Sequence, residues 1–166
     1  MIYKNMECFL ICNFFDIVNL KISWSFDGIP ESIDFTYDSE FLNGDLPCNI
    51  RKMYQILKNY YSFERYDIFD VLGGVEFTSF ERKVYKRLLE VPAGEVITYS
   101  ELANEIGIKG GARAVGNAMR RNRFPILIPC HRVVGKKDLG GFTPGLELKK
   151  KLLDYEKQWK SASGGT

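Results

Sequence analysis

The stretch VITYSELANEIGIKGGARAVGNAMRRN, residues 96–122, decides what kind of fold this chain can adopt. Val96-Ile97-Thr98-Tyr99 reads as a short strand or extended link, and Ser100 is the expected N-cap of a helix running to Ile106. Gly107 ends that helix, and Gly110-Gly111 leads into a second one, Ala112–Arg121. Two short helices joined by a glycine-containing turn form a helix-turn-helix pattern, which also occurs in proteins that never touch DNA. At about 100° per residue, Ala112, Val115, Ala118 and Met119 fall on one side of the second helix. Arg113, Gly116, Asn117, Arg120 and Arg121 fall on the other, with a glycine at the centre that lets a partner approach the backbone. Asn122 points to the inward side, where a polar group needs hydrogen-bond partners. It either caps the helix end or reaches a buried site.

Upstream, Thr78-Ser79-Phe80-Glu81 has the capping-box form, and Phe80, Val84 and Leu88 give the stripe of a helix stopped by Pro92-Ala93-Gly94. Gly73-Gly74 is the expected boundary of a different half. There, Glu7–Phe15, Val18–Phe26 and Ser32–Tyr37 read as strands, with a turn at Asp27-Gly28. The spacing of Ile50, Tyr54, Leu57 and Tyr61 predicts a helix over about 49–61. The expected division is 1–74, 75–160 and a small polar tail, 161–166, read as flexible.

The 166 residues carry 23 basic and 21 acidic side chains, a near balance that hides an asymmetry. Residues 1–70 hold 6 basic and 11 acidic groups, whereas 71–166 hold 17 and 10. Between 106 and 137 stand Lys109, Arg113, Arg120, Arg121, Arg123, Arg132, Lys136 and Lys137, with no Asp or Glu. Such a run attracts polyanions, although it also suits a plain solvated face. No apolar run approaches the roughly 20 residues needed to span a bilayer. Without a secretory leader pattern, the expected location is the cytoplasm, or the nucleus of a eukaryote. A single histidine excludes every metal site that needs two.

That histidine sits in Ile126-Leu127-Ile128-Pro129-Cys130-His131-Arg132-Val133-Val134, an apolar, strand-like stretch. Most free cysteines are small buried hydrophobes. Here arginines flank a Cys-His pair, and positive surroundings raise the thiolate fraction. Adjacent strand residues point to opposite faces, so direct contact needs a local turn or a bridging water, and Pro129 makes a departure from strand plausible. A phosphatase loop would want arginine where Lys136 stands. A papain-like protease would want its histidine far along the chain.

Pro129-Cys130-His131-Arg132-Val133, preceded by Arg113-Ala114-Val115-Gly116 and Arg121-Asn122, resembles the signature of O6-alkylguanine-DNA alkyltransferases, the methylated-DNA–protein-cysteine methyltransferases. The resemblance runs from about Phe80 to Glu156. It implies an α+β chain, with a ribonuclease-H-like N-terminal α/β domain followed by a mostly helical, winged helix-turn-helix-type domain. It implies a monomer that binds double-stranded DNA containing O6-alkylguanine, flips the nucleotide and accepts its alkyl group once, with no cofactor. Cys130 is then the acceptor, His131 the base acting through a water, Glu156 its orienting partner and Asn122 a member of that network. Tyr99 helps rotate the nucleotide and hydrogen-bonds guanine N3, while Arg113 fills the vacated stack. Ala114, Gly116, Asn117, Arg120 and Arg121 meet DNA. Main-chain carbonyls of Cys130 and Val133 take the guanine amino group, Met119 lines the pocket, and Phe142, Thr143, Pro144 and Gly145 form its outer wall.

Without the resemblance, Glu156 would be an ordinary glutamate flanking the stripe Leu148, Leu152, Tyr155 and Trp159. Two departures stand out: the loop from Val134 to Phe142 is short, and Pro144 is rigid where a smaller residue is also common. Pro144 is therefore expected to restrict bulky O6 substituents. Some relatives hold structural zinc through Cys and His in the N-terminal domain. Cys8, Cys12 and Cys48 lack a histidine to reproduce that site and are expected as buried thiols, with a disulfide left open. The alternative activities are an alkyltransferase-like protein that binds the lesion without repairing it, a winged-helix regulator, and a cysteine hydrolase. The presence of Cys130 favours repair over the first.

Overall fold

The computed structural model describes residues 8–41, 45–60 and 66–162, and the chain divides between Glu76 and Phe77 into two units. In the first, β1 (Cys8–Phe14), β2 (Val18–Trp24) and β3 (Pro30–Thr36) form an antiparallel meander in sequential order. The register Leu10↔Ile22, Cys12↔Leu20 and Ile22↔Ile33 aligns apolar side chains on one face, because alternate strand residues share a side. Leu10, Cys12, Phe14, Leu20, Ile22 and Ile33 are accordingly buried. Asn13, Asn19, Lys21 and Asp34 take the opposite side.

The first helix, α1 (Cys48–Lys58), buries Ile50, Met53, Ile56 and Leu57. Met53 takes the buried place that the spacing assigned to Tyr54, which is only half-buried. The expected members Glu7 and Tyr61 lie outside the described residues. A one-turn helix, α2 (Ile68–Val71), follows an Asp67 cap that accepts from Phe69 N and Asp70 N; four residues are too few to leave a periodic signal.

The second unit begins at Phe77, whose ring packs edge-on against Tyr85 and Phe124. Helix α3 (Ser79–Leu89) starts with the capping box expected at Thr78 and Glu81. Its buried residues are Val84, Tyr85 and Leu88, whereas Phe80 is only half-buried. Tyr85 Oη donates to Ala118 O at 2.8 Å, which fastens α3 to α5 (Ala112–Arg121). Between them, β4 (Ile97–Thr98) runs straight into α4 (Tyr99–Glu105).

The cap of α4 corrects the sequence expectation. Thr98, not Ser100, is the N-cap: its side chain accepts from Glu101 N while Glu101 reaches back to Thr98 N. A reciprocal box satisfies two free amides at once. Ser100 has no acidic residue three positions on, because Ala103 stands there. Beyond α5, β5 (Val133–Val134) pairs in parallel with β4, and α6 (Leu146–Ala162) closes the described chain. Helix α6 continues through Ser161 and Ala162, two residues into the segment expected as a flexible tail. Ser161 Oγ donates to Lys157 O at 3.0 Å, and the remaining four residues lie outside the described set.

Candidate functional site

Residues 126–132 are not a strand. Ile126 adopts φ 73°, a left-handed value that is costly for a β-branched residue, and it bends the chain before Ile128 and Pro129. Cys130–Arg132 then forms a single 3-10 turn, and only Val133–Val134 joins a ladder. The turn replaces strand alternation with successive side chains around one axis, which frees Cys130 and His131 from opposite faces. Both are buried, as is Arg132. One of the eight cations counted toward a basic surface is therefore internal.

His131 Nε2 lies 2.8 Å from Glu156 Oε1. The same carboxylate accepts from Arg132 Nη2 at 2.9 Å and Arg132 Nε at 3.0 Å, and from Gly94 N at 3.0 Å. Arg132 Nη1 donates to Val91 O at 2.6 Å. Burial works against ionisation of Glu156, yet the hydrogen bond from His131 and the charge and hydrogen bonds of Arg132 hold its carboxyl down at about 2. An ionised carboxylate only accepts, so the hydrogen on His131 is on Nε2. Nδ1 is left buried without a partner among the described residues. Burial, with the charges of Arg132 and Lys149, pushes the imidazole below its ordinary range against the pull of Glu156. It rests neutral, with a lone pair on Nδ1.

Burial also pushes the Cys130 thiol up, which corrects the sequence reading that flanking arginines dominate it. Three groups oppose burial: the Asn122 side chain by hydrogen bond, Lys149 by charge, and the backbone amides of Cys130 and His131. Asn122 ends α5 as its C-cap, and its side chain turns to the loop that follows and to the thiol. Its Nδ2 donates to Ile128 O at 2.9 Å and its Oδ1 accepts from Phe124 N at 3.0 Å.

Sequence reasoning missed Lys149, Arg132 and Gly94. The buried residues of α6 are Lys149, Leu152, Leu153 and Glu156, not the stripe Leu148, Leu152, Tyr155 and Trp159. Glu156 stands at the centre of the buried face, and Lys149 lies two turns before it in the same phase. That shared phase was the available signal. Lys149 Nζ donates to Val133 O at 2.6 Å and Gly141 O at 3.2 Å, and burial lowers its ammonium to about 8. Tyr99 Oη donates to the same Gly141 carbonyl at 3.3 Å. Its ring covers Gly140, where an added Cβ would lie 2.6 Å from the ring at φ 66°. Phe142 is half-buried, and Thr143, Pro144 and Gly145 are exposed, closing a turn through Gly145 N to Phe142 O at 3.0 Å.

On α5, Val115 and Ala118 are buried, and Ala112 and Met119 are half-buried. Arg113, Arg120 and Arg121 are exposed, while Ala114, Gly116 and Asn117 are partly so. Two of these groups already have internal partners: Arg121 Nε donates to Glu81 at 2.7 Å and Arg120 Nη2 to Asn117 at 3.0 Å. Cys12 and Cys48 are thiols outside any disulfide. Cys12 is buried, and burial raises its thiol to about 11. Cys8 is half-buried and Cys48 exposed, which corrects the expectation of three buried thiols; Cys48 opens α1, away from that helix's apolar face. Among the described residues no group of three or more His, Cys, Asp or Glu could hold a metal ion. No described helix is long and apolar enough to cross a membrane.

Residues 79–158 match the family model for the 6-O-methylguanine DNA methyltransferase DNA-binding domain. A probable methylated-DNA–protein-cysteine methyltransferase of Acanthamoeba polyphaga mimivirus is 53% identical over 81 residues, 49% of this chain and 54% of that relative. The match thus spans about half the length of that curated relative. The crystal structure of the Mycobacterium tuberculosis O6-methylguanine methyltransferase superposes with a TM-score of 0.68 at 30% identity, covering 92% of this chain and 94% of that one. Mycobacterium tuberculosis OGT in complex with DNA gives 0.67 at 30% identity, covering 89% and 91%.

Proposed function

Because the chain belongs to the O6-alkylguanine-DNA alkyltransferase family, we propose that it repairs DNA by moving an alkyl group from guanine O6 to Cys130, once per molecule. The observation that carries this reading is the placement of His131 beside Cys130 in the chain, with Nε2 fixed on Glu156 and Nδ1 buried and unpaired among the described residues. A neutral imidazole in that tautomer keeps a lone pair on Nδ1 and can serve as base for a neighbouring thiol that is itself protonated at rest. His131 Nδ1 takes the thiol proton through one water. Cys130 Sγ then attacks the alkyl carbon, the S–C bond forms as the C–O bond breaks, and the electron pair leaves with the guanine. Glu156 stabilises the imidazolium. The thioether has no route back to a thiol, so the protein is consumed.

Asn122 and Lys149 favour the thiolate as it forms. Tyr99 hydrogen-bonds guanine N3, and the carbonyls of Cys130 and Val133 take the guanine amino group. Met119, Phe142, Thr143 and Pro144 enclose the base. Helix α5 enters the minor groove with Ala114 and Gly116 against the backbone. Asn117, Arg120 and Arg121 line the DNA contact, and Arg113 occupies the stack. Flipping costs a few kcal/mol of unstacking, offset by phosphate contacts of the exposed cations between 106 and 137. On this reading α4 and α5 with the β4–β5 ladder are the winged helix-turn-helix, the first unit is the ribonuclease-H-like domain, and the protein acts as a monomer in the cytoplasm or nucleus. Its partner is double-stranded DNA containing O6-alkylguanine, and no cofactor takes part.

Incubation with a duplex carrying radiolabelled O6-methylguanine, followed by peptide mass mapping, tests this. One label per protein on Cys130, lost in Cys130→Ala while DNA binding persists, is expected. Binding without transfer identifies a lesion-binding protein, and multiple turnovers identify a hydrolase.

A further inference from the structure

We propose that Arg132 is a positioning residue that holds Glu156 against His131 and takes a share of the carboxylate's charge, so that His131 stays a neutral base until the thiol gives up its proton. This rests on the alkyl-transfer reading for its purpose, but its geometry stands apart from it. Consecutive residues of one 3-10 turn, His131 and Arg132, converge on a single carboxylate. Arg132 grips Glu156 with two nitrogens and is anchored at its far end by Val91 O. A planar fork fixes a carboxylate's orientation as a lysine ammonium does not.

A histidine facing an unshared buried carboxylate is drawn toward imidazolium, since an opposite charge within about 4–6 Å favours the charged form. An imidazolium has no lone pair for the Cys130 proton. Here the guanidinium balances that carboxylate first. The charged groups facing His131 are Glu156 and Lys149 from α6 and Arg132 from its own turn, with the Cys130 thiol beside it. Gly94 N–H, from the turn after α3, adds a fourth donor to Glu156 without adding charge. The two cations outnumber the one anion, and the burial shared by all of them makes each interaction stronger than it would be in water.

The chain's single histidine makes this measurable without assignment. The imidazole of protein labelled with 15N-histidine is titrated by NMR in wild type, Arg132→Gln and Arg132→Lys. Arg132→Gln is expected to raise the His131 pKa by at least about one unit, with Arg132→Lys raising it by less than half as much. Cys130 should then react several-fold faster with iodoacetamide near pH 6.5 in Arg132→Gln, because a thiolate–imidazolium pair becomes populated at rest. A natively folded Arg132→Gln with an unmoved or lowered histidine pKa overturns the proposal. If that variant does not fold, Arg132→Lys decides: a histidine pKa and a thiol reactivity both identical to wild type overturn it. Wild-type transfer from O6-methylguanine is assayed in parallel. A shifted titration in a protein that transfers nothing refutes the alkyl-transfer reading alone, and an unshifted titration in an active protein refutes the role of Arg132 alone.

Discussion

Two charges on the buried face of a helix carry much of the chemistry proposed for this molecule. Lys149 and Glu156 occupy the phase at which a helix of a small domain normally places leucine, and each is tolerated because its polar atoms are hydrogen-bonded, Lys149 to two carbonyls and Glu156 to four donors. Glu156 ties stability to pH. Its folded value of about 2 lies below the ordinary 4.5, so its contribution is complete above pH 4.5 and is lost as pH falls from there toward 2. The integrated loss is about 3 kcal/mol. His131, also held low, adds a slope of the same sign below its ordinary 6.5, since the unfolded chain binds that proton first. Urea midpoints measured from pH 8 to pH 2 should fall in both windows. In Glu156→Gln the lower window should disappear, and stability at pH 7 should drop by roughly 3 kcal/mol because Arg132 is left buried and uncompensated. Midpoints that stay flat below pH 4.5 in wild type would contradict the ionised buried carboxylate.

At the scale of elements, the two capping boxes and one glycine turn decide where helices begin and where a tyrosine can sit. Thr98→Ala should cost about 1 kcal/mol, the usual price of an N-cap, whereas Ser100→Ala should stay within a few tenths. Equal losses in chemical denaturation would return the cap to Ser100. Gly140→Ala meets two obstacles, a left-handed φ and the Tyr99 ring at 2.6 Å. That variant should displace Tyr99 and slow alkyl transfer at least about tenfold, in line with the sensitivity of positioned groups to misplacement by about 1 Å, while retaining DNA affinity. Undiminished transfer in folded Gly140→Ala would separate Tyr99 from the reaction. The capping box at Thr78 and the helix stops were legible as Thr-x-x-Glu and glycine patterns, whereas the box of Thr98 and Glu101 was passed over for Ser100. The 3-10 turn at Cys130 was not, because apolar residues such as Ile126, Leu127 and Ile128 read alike in a strand and in a buried loop.

For the whole molecule, the asymmetry of charge predicts how DNA binding responds to salt. Seven of the eight cations between 106 and 137 remain candidates for phosphate contact, Arg132 being internal. Each cation that meets a phosphate adds about 0.9 to the slope of log affinity against log salt on duplex DNA. Arg113→Ala should leave that slope nearly unchanged yet reduce transfer at least about tenfold, as expected for a residue that enters the stack and not the backbone. A loss of slope with normal transfer would make Arg113 a phosphate contact. Glu81 already engages Arg121, so Arg121→Ala should lower the slope by less than Lys136→Ala does.

The sequence alone determined the three strands of the first unit, the helices α1, α3, α4 and α5 with the exposed arginines of α5, and the adjacency of one cysteine and one histidine. These depend on local spacing, caps and charge, all of which are written within a few residues of one another. Only the tertiary structure decided that Glu156 is central and ionised, that Arg132 is internal and that Lys149 and Gly94 belong to the site. It also decided that Cys130 is a buried, protonated thiol at rest. Those outcomes come from bringing 91–94, 130–133 and 149–156 together in a low-dielectric interior. There, burial and partners distant in sequence set each charge, and no local pattern records them.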